Sequence, residues 1–303
     1  MSADVIIAGG GMGGCAAAIA CCRNGLNVIM TEETDWIGGQ LSQQGVPPDE
    51  HQWIETHGAP QSYRTYRNKV REYYRANYPL TDEARSRTNL NPGDGSVSRL
   101  CHEPRVAVSV LTDMLSPYLS SGKLRLLTNY KVKSANVNGD KVSDLELVNL
   151  FTGDSLILTG KSFVDATECG DLLPLTGTEY ITGTESRQDT NELHAPDKAD
   201  PTNNQAFTVC FAMDYQPEVD NVLDPPKNYN FWRNYVPNLT PPWSGKLLDL
   251  SYSDPRTLNP KTLGFEPTGK NLDGVLNLWN YRRIINKNNF AKGTYDGDIT
   301  IVN

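Results

Sequence analysis

The sequence predicts an α/β fold centred on a βαβ unit, followed by a lobe of mixed α and β structure. Three observations support this prediction. An apolar stretch at residues 4–8 leads into the glycine pattern Gly9, Gly11 and Gly14, the next stretch is rich in small residues, and a second apolar run ends in Glu32. A strand, a glycine turn, a helix, a strand and an acid in this order form the context of a Rossmann-like dinucleotide-binding motif.

The glycines of this unit have separate physical roles. We expect Gly9 to make the tight turn after the strand, Gly11 to let the backbone approach a pyrophosphate, and Gly14 to let helix and strand pack closely. The helix then begins with unpaired N–H groups and the positive end of its dipole, which stabilise a phosphate. The predicted cofactor contacts of this turn are Gly9, Gly11, Met12, Gly13, Gly14 and Cys15.

Glu32 closes the second strand, where its carboxylate can accept hydrogen bonds from both hydroxyls of an adenosine ribose. The same charge would repel a 2′-phosphate, so the sequence disfavours NADP. Glu33 follows directly and is predicted to belong to the same site.

Length and composition describe an ordinary globular protein. The chain has 303 residues, 38% of them hydrophobic, which is enough for a sizeable core in two closely associated lobes. A net charge of −8 argues against nucleic acid or an anionic membrane as the main partner, because neither would meet a basic surface. Residues 1–4 have no cationic stretch and glycines interrupt the apolar run behind them, so we expect no signal peptide or membrane helix and a cytoplasmic location.

The sequence predicts no metal site. Its six cysteines include no CxxC pair, and reduced, buried thiols are the expected state. His51 and His57 could ligate a metal, but no carboxylate cluster supports them, so ordinary polar groups of a loop are favoured.

A second glycine pair, Gly38 and Gly39, closely follows the acid at the end of the second strand. A backbone that approaches a bound pyrophosphate or ring again would need glycine here, and a plain surface turn is the alternative. The predicted contacts of this stretch are Gly38, Gly39, Gln40, Leu41, Ser42 and Gly45.

A helical insertion is predicted over residues 49–98, because aromatic and arginine side chains recur at helical spacing between Tyr63 and Arg75. We interpret this stripe as a packed face whose arginines extend their charged ends to solvent. Contact with an anionic substrate is the alternative.

A further helix is expected from Pro104 onward. Just before it, Cys101 and His102 are the candidates for catalysis. Adjacent residues of an extended chain point to opposite sides, however, so a structural role for the pair is the favoured alternative.

Strand patterns begin after Lys123. Alternation and turn residues predict an antiparallel meander with strands at 124–133, 135–137, 142–150 and 156–159. The meander leads into an apolar strand that ends in Asp165, followed by Ala166 and Thr167, as at the carboxyl edge of a parallel sheet. Ligands bind at that edge.

Together these features resemble the glutathione-reductase-like flavoproteins with two dinucleotide-binding domains. Within that superfamily the chain is similar to the FAD-dependent oxidoreductase group that contains the flavin subunit of heterodisulfide reductase. The resemblance covers residues 4–180 and rests on the glycine turn, Glu32, the second glycine pair, the meander and the run from Asp165 to Asp171.

The resemblance implies FAD as the cofactor, bound in an extended form. Its pyrophosphate would lie on residues 11–14, its ribose on Glu32, and its isoalloxazine towards residues 41–45. The further contacts that the resemblance implies are Val132 beside the adenine, with Ala166 and Thr167 lining the same groove.

Two features depart from the pattern of this family. Glu168 stands where the ATG-type motif of the family has its glycine. A late glycine-rich segment that closes the flavin site is not found, so we expect the chain to be incomplete at its C-terminus and its last strand, near residues 299–302, to lack a neighbour.

The predicted organisation is therefore an FAD-binding domain at residues 1–180 and an incomplete substrate or cap lobe at residues 181–303. The lobe has a predicted strand at 205–214 and aromatic residues that could shape a substrate pocket or form a core, including Trp232, Trp243 and Trp279. Core packing is the favoured interpretation.

The function that follows is that of an FAD-dependent oxidoreductase, which passes two electrons between a small organic substrate and the flavin. One alternative is an electron-transfer flavin subunit that acts with a partner chain. Another is a catalytically incomplete fragment that binds a nucleotide. The sequence leaves the oligomeric state open.

Overall fold

A computed structural model describes residues 1–239, 245–254, 256–257, 259–268, 270 and 272–302. Its strands are β1 (Ser2–Ala8), β2 (Val28–Glu32), β3 (Leu124–Thr128), β4 (Tyr130–Asn138), β5 (Lys141–Asn149), β6 (Ser155–Asp165), β7 (Phe211–Asp214), β8 (Ser251–Ser253), β9 (Pro260–Gly264), β10 (Leu276–Asn277), β11 (Arg283–Ile285) and β12 (Ile299–Val302). The α-helices are α1 (Met12–Arg23), α2 (Gln61–Asn77), α3 (Asp82–Ser86), α4 (Pro104–Ser120), α5 (Leu172–Thr176), α6 (Arg187–Thr190), α7 (Tyr229–Asn234) and α8 (Leu278–Tyr281). Two short 3-10 helices cover Gly39–Leu41 and Lys287–Asn289.

A six-stranded sheet in the order β3-β2-β1-β6-β5-β4 forms the centre of the protein. Strand β1 pairs in parallel with β2 and β6, and β2 pairs in parallel with β3. The antiparallel meander β4-β5-β6 returns the chain to the parallel part, because β6 belongs to both. The predicted α/β fold, a parallel sheet with a meander crossover, is confirmed.

The predicted strand at 124–133 is in fact two strands. Asn129 has a φ of 63° and separates β3 from β4. Strand β3 extends the parallel sheet beside β2, whereas β4 pairs antiparallel with β5. Asparagine tolerates this left-handed conformation, so one residue can redirect the chain within an unbroken strand pattern.

The last strand has two neighbours, so the prediction that it would lack one is wrong. Strand β12 lies between β11 and β7 and pairs antiparallel with both. The predicted strand at 205–214 forms only at Phe211–Asp214, because only these residues pair with β12.

The two faces of the central sheet are covered differently. On one face, residues of β1 and β2 pack with α1, α2 and α4, and Ile285, Phe290 and Ile301 join this core from the end of the chain. On the other face, Ile6, Ala8 and Ile29 pack against apolar residues of the meander. The residues after α8 therefore contribute to the main core.

Two of the four arginines of α2, Arg67 and Arg71, are not at the surface, contrary to the sequence interpretation. Arg67 and Arg71 are 3% and 4% exposed. Arg67 pairs with Glu50 at 2.7 Å and with Glu55 at 2.8 Å, and Arg71 pairs with Glu55 at 2.6 Å. Buried charges require such partners, and the sequence did not reveal that the loop before α2 would return to supply them.

The region between Phe207 and Leu250 contrasts with this core. Many of its described apolar side chains are exposed, including Val222, Leu223 and Trp232, whereas Trp279 is buried. Of the aromatic residues predicted for the lobe, Trp243 lies outside the described residues, as do Pro241 and Pro242 before it. The division into domains 1–180 and 181–303 stays a prediction.

Within the described part of the chain, the structure contains no helix with the length and apolar character needed to cross a bilayer.

Candidate functional site

The turn after β1 has room only for glycine at two positions. Gly9 has a φ of 99°, and a Cβ atom on it would lie 2.1 Å from the Ala166 carbonyl oxygen. A Cβ atom on Gly14 would lie 2.1 Å from the Gly9 carbonyl oxygen. The turn, the start of α1 and the end of β6 are thus in direct backbone contact, as the spacing of the motif predicts.

The start of α1 presents free donors. Among the described residues, the N–H groups of Met12, Gly13 and Gly14 have no hydrogen-bond acceptor. Such groups at a helix N-terminus, with the positive end of the dipole, fit an anion such as a pyrophosphate. The backbone around Gly11 therefore fits the phosphates of a dinucleotide.

Glu32 is buried at the end of β2, and the protein fixes its orientation. Its Oε2 accepts a hydrogen bond from the Gly10 N–H at 3.0 Å. Its Oε1 accepts hydrogen bonds from the N–H and the hydroxyl of Thr34, each at 2.9 Å. Each carboxylate oxygen can accept more than one hydrogen bond, so Glu32 retains capacity for ribose hydroxyls.

A groove of about 230 Å³ lies at the carboxyl edge of the parallel strands. Seven predicted contacts line it: Gly9, Gly11, Glu32, Glu33, Val132, Ala166 and Thr167. Gln43 also lines it and belongs to the stretch 41–45 that the resemblance places towards the isoalloxazine. Sequence reasoning did not assign the other lining residues, which are Thr31, Thr34, Tyr130, Lys131, Glu168, Cys169 and Asp171. The positions directly beside the predicted ones could have been suspected, because they share the same strand ends.

Asp165 orders the wall of the groove beyond β6. Its Oδ1 accepts hydrogen bonds from the N–H and hydroxyl of Thr167, and its Oδ2 accepts one from the Leu172 N–H at 2.9 Å. Next to this wall, the carboxylate of Glu168 lies about 3.0 Å from the position that a Cβ atom on Gly11 would take. A negative charge therefore stands beside the predicted pyrophosphate position.

The second glycine pair packs behind the first turn. The Gly38 N–H donates to the Gly10 carbonyl oxygen at 2.9 Å, and a Cβ atom on Gly39 would lie 3.2 Å from the Gly11 Cα. Leu41 is part of the main core. Of this predicted set, Gly38, Gly39, Gln40 and Leu41 do not line the groove, and their contact with a cofactor stays a prediction.

Three other predicted contacts face a different pocket. Met12, Gly13 and Cys15 line a mainly apolar pocket of about 280 Å³ between α1, α2 and α4. Burial, with the nearby charge of Glu32, raises the pKa of Cys15 to about 12. This cysteine is therefore an uncharged thiol, and Met12 and Gly13 can reach a phosphate only through their N–H groups.

A larger cavity of about 390 Å³ adjoins the groove at Gln43. Gln43 lines both, and the predicted residues Ser42 and Gly45 line the cavity. The other residues that line the cavity are Trp36, Gln44, Glu103, Pro104, Arg105, Cys210, Phe211, Ala212, Ile284, Ile299 and Ile301. Of these, Gln44 lies in the stretch 41–45 that the resemblance places towards the isoalloxazine. Sequence reasoning missed the others, most of which come from segments that are distant in the chain.

Cys101 and His102 are buried and line neither the groove nor the cavity. Burial raises the pKa of Cys101 to about 12 and lowers the pKa of His102 to about 4. The His102 Nδ1 lies 2.9 Å from the Glu103 carbonyl oxygen, which can only accept, so Nδ1 donates. The Nε2 of the neutral ring then accepts from the Tyr66 hydroxyl at 3.0 Å. Their role in catalysis is a prediction without geometric support.

No group of three or more histidine, cysteine, aspartate or glutamate residues is arranged to hold a metal ion in the described ranges.

The groove, the glycine turn and the free helix start define the class: this is a dinucleotide-binding protein with a Rossmann-like sheet. A family model described as FAD dependent oxidoreductase matches residues 4–303. The chain belongs to this family of FAD-dependent oxidoreductases. Its cofactor is FAD.

Several solved structures are similar over about half of the chain. Sdh1 from Mycobacterium smegmatis in complex with UQ1 is 12% identical, with 55% of this chain and 34% of that chain covered and a TM-score of 0.37. L-proline dehydrogenase from P. horikoshii is 15% identical, with 55% of this chain and 22% of that chain covered and a TM-score of 0.30. The flavin-dependent brominase Bmp2 is 19% identical, with 59% of this chain and 41% of that chain covered and a TM-score of 0.37. This chain thus spans about a third of the length of the first structure, and no curated protein sequence matches it.

Proposed function

We propose that the chain binds FAD in an extended form along the groove and the cavity, and passes two electrons between the flavin and a small organic substrate. One observation supports this proposal: Gln43 lines both spaces, so the groove and the cavity lie on either side of one residue. A dinucleotide whose ADP half lies in the groove would extend past Gln43 into the cavity.

The assignment of residues follows the chemistry along this path. The free N–H groups at the start of α1 would bind the pyrophosphate, and Glu32 would accept hydrogen bonds from the adenosine ribose. Residues 42–45 would lie against the flavin ring. The remaining predicted contacts in the groove are Glu33, Val132, Ala166 and Thr167.

When bound, FAD supplies the chemistry of accepting a hydride. The residues of the chain then need to bind and orient the flavin and the substrate and to exclude water. No protein nucleophile is required. The buried thiol of Cys101, whose pKa burial raises to about 12, agrees with this division of roles. Kinship with the flavin subunit of heterodisulfide reductase, within the glutathione-reductase-like flavoproteins, and a cytoplasmic location remain parts of the proposal.

The experiment that tests the proposal begins with the colour of the purified protein. We expect a flavin absorption band, release of FAD on denaturation, and anaerobic bleaching of the band by one or more members of a panel of small organic donors. A protein that takes up no FAD, or whose flavin no organic donor bleaches, would contradict the proposed reaction.

The electron-transfer alternative has one observation in its favour. Large apolar side chains between Phe207 and Leu250 are exposed, and Phe207, Val222 and Leu223 are more than four-fifths exposed. A partner chain could cover such a surface. Bound FAD that a chemical reductant bleaches but organic donors do not would favour this subunit role or the nucleotide-binding fragment over the proposed enzyme.

A further inference from the structure

Glu103 follows Cys101 and His102 in the chain and, unlike them, lines the cavity. It is the N-cap residue of α4, and its side chain is 11% exposed. A carboxylate with so little access to water needs hydrogen-bond donors from the protein.

Tyrosine hydroxyls supply these donors on one side of the carboxylate. The Glu103 Oε2 accepts from the Tyr78 hydroxyl at 2.5 Å and from the Tyr74 hydroxyl at 3.3 Å. Burial and then the interaction with Glu103 raise the pKa of both phenols, so they stay protonated donors. Burial and the charge of Glu103 likewise raise the pKa of Tyr295 to about 12. These phenols stabilise the negative charge and fix the position of the carboxylate.

The other oxygen retains the capacity to bind a ligand. Among the described residues, no hydrogen bond to the Glu103 Oε1 is recorded, and the Arg105 Nε lies 3.7 Å from it, which is longer than a hydrogen bond. The Tyr295 hydroxyl also interacts with this carboxylate. Arg105 also lines the cavity. Apolar residues of the sheet formed by β11, β12 and β7, among them Ile284, Ile299 and Ile301, form much of the remaining wall. The cavity thus combines an acceptor and a donor close together with an apolar surface.

We propose that this cavity binds a compact, mainly apolar alcohol and that Glu103 is its catalytic base. The alcohol hydroxyl donates to the Glu103 Oε1, and its oxygen accepts from Arg105. An ammonium group has donors only and would meet the positive charge of Arg105, so an amine fits less well. The proposal rests on the proposed function, because it places the alcohol beside the flavin ring.

The reaction balances as a two-electron oxidation. The hydroxyl proton passes to the Glu103 Oε1, and the hydride on the carbinol carbon passes to FAD. The O–H and C–H bonds break, a C=O double bond forms, the alcohol is oxidised to a carbonyl compound and FAD is reduced. The carbonyl oxygen still accepts a hydrogen bond from Arg105.

The test is anaerobic single-turnover bleaching of the FAD-loaded protein with benzyl alcohol, cyclohexanol and benzylamine. We expect an alcohol to bleach the flavin, and Glu103→Gln to slow this bleaching by about 100-fold with unchanged FAD content, because the amide cannot take the proton. The matched control is Glu72→Gln, an exposed glutamate on α2, which should keep the starting rate. Bleaching by benzylamine and not by the alcohols would overturn the substrate class.

A second variant covers the case that Glu103→Gln does not fold. Tyr78→Phe removes one donor to the carboxylate, so the acid limb of the pH–rate profile should move to higher pH. A merely structural role of Glu103 would lower the amount of folded protein without moving this limb. An unmoved limb, or a Glu103→Gln rate within threefold of the starting protein, would refute the role of the base.

Failure of the underlying function has a different signature. If the starting protein holds no FAD, the proposed function fails. If it holds FAD that dithionite bleaches and no alcohol bleaches, the alcohol proposal fails while FAD binding stands.

Discussion

The groove and the cavity lie next to each other, yet they are built in different ways. The groove is formed by ends of neighbouring strands, with backbone groups and short polar side chains around Gly9, Glu32 and Thr167. The cavity is assembled from loops and strands far apart in the chain: residues 42–45, 103–105, 210–212, 284 and 299–301. It is largely apolar, with Glu103 and Arg105 as its charged residues.

This difference separates two kinds of constraint. A pyrophosphate requires backbone N–H groups at close range, so the groove depends on local glycine geometry. An organic substrate requires a shaped apolar space with a few polar groups, so the cavity depends on how distant segments pack. Changes at the glycine turn should therefore affect folding and FAD binding together, whereas a change of Glu103 in the cavity should leave FAD in place.

The largest effect is expected at Gly14. Gly13→Ala and Gly14→Ala introduce the same methyl group at adjacent positions of α1, but a Cβ atom on Gly13 has no neighbour within 4 Å and one on Gly14 would lie 2.1 Å from the Gly9 carbonyl oxygen. We expect Gly14→Ala to be about 3 kcal/mol less stable than Gly13→Ala, from overpacking against backbone. Urea unfolding of the two variants measures the difference. Equal midpoints would mean that the turn is not packed as described.

The next largest effect is expected at His102, the buried residue that precedes Glu103 in the chain. Burial lowers the pKa of His102 from 6.5 to about 4, so the unfolded chain binds a proton there that the folded chain does not. The contribution of His102 to the free energy of unfolding is fully present above pH 6.5. It falls as the pH decreases, and the loss is about 2 kcal/mol at pH 5. His102→Gln should remove this part of the pH dependence of urea unfolding. An identical pH dependence in the variant would show that His102 is not buried as a neutral ring.

Glu32 and Glu33 allow a comparison within the groove. Glu32 is buried and held by Gly10 and Thr34, whereas Glu33 pairs with Lys131 and is partly exposed. Glu32→Ala should weaken FAD binding at least tenfold, from loss of charge-assisted hydrogen bonds worth about 1.5–3 kcal/mol. Glu33→Ala should weaken it less than threefold, because its charge is screened by solvent. FAD titration followed by fluorescence gives both values, and equal losses would contradict the assignment of the ribose to Glu32.

The smallest effect is expected at Glu168. Its carboxylate stands beside Gly11, where the negative pyrophosphate is expected. Glu168→Gln should tighten FAD binding about threefold at low salt and less at high salt, because it removes a screened repulsion. Glu179→Gln, an exposed glutamate outside the groove, is the control. Weaker binding in Glu168→Gln would mean that this carboxylate holds the cofactor instead of repelling it.

How far the sequence predicted the structure depends on the range of the interactions. The βαβ unit, the helix from Pro104 and the turn at the end of β6 were predicted, because glycine spacing and hydrophobic periodicity act within a few residues. The division at Asn129 was missed, because the strand pattern continues across it. The neighbours of β12 were missed for another reason: strand pairing between distant segments leaves no mark in either one alone.

The expectation of FAD came from the resemblance to a flavoprotein family, and the sequence by itself determined the dinucleotide-binding turn and the acid at its second strand. These depend on backbone conformations that only glycine adopts and on charges at strand ends, which can be identified from local order. Tertiary structure alone decided that Cys101 and His102 are buried while Glu103 lines the cavity, although the three are consecutive. Which of these side chains lines the cavity is decided by α2 and the sheet of β11, β12 and β7, because packing against them separates the fully enclosed side chains from the one that reaches the cavity.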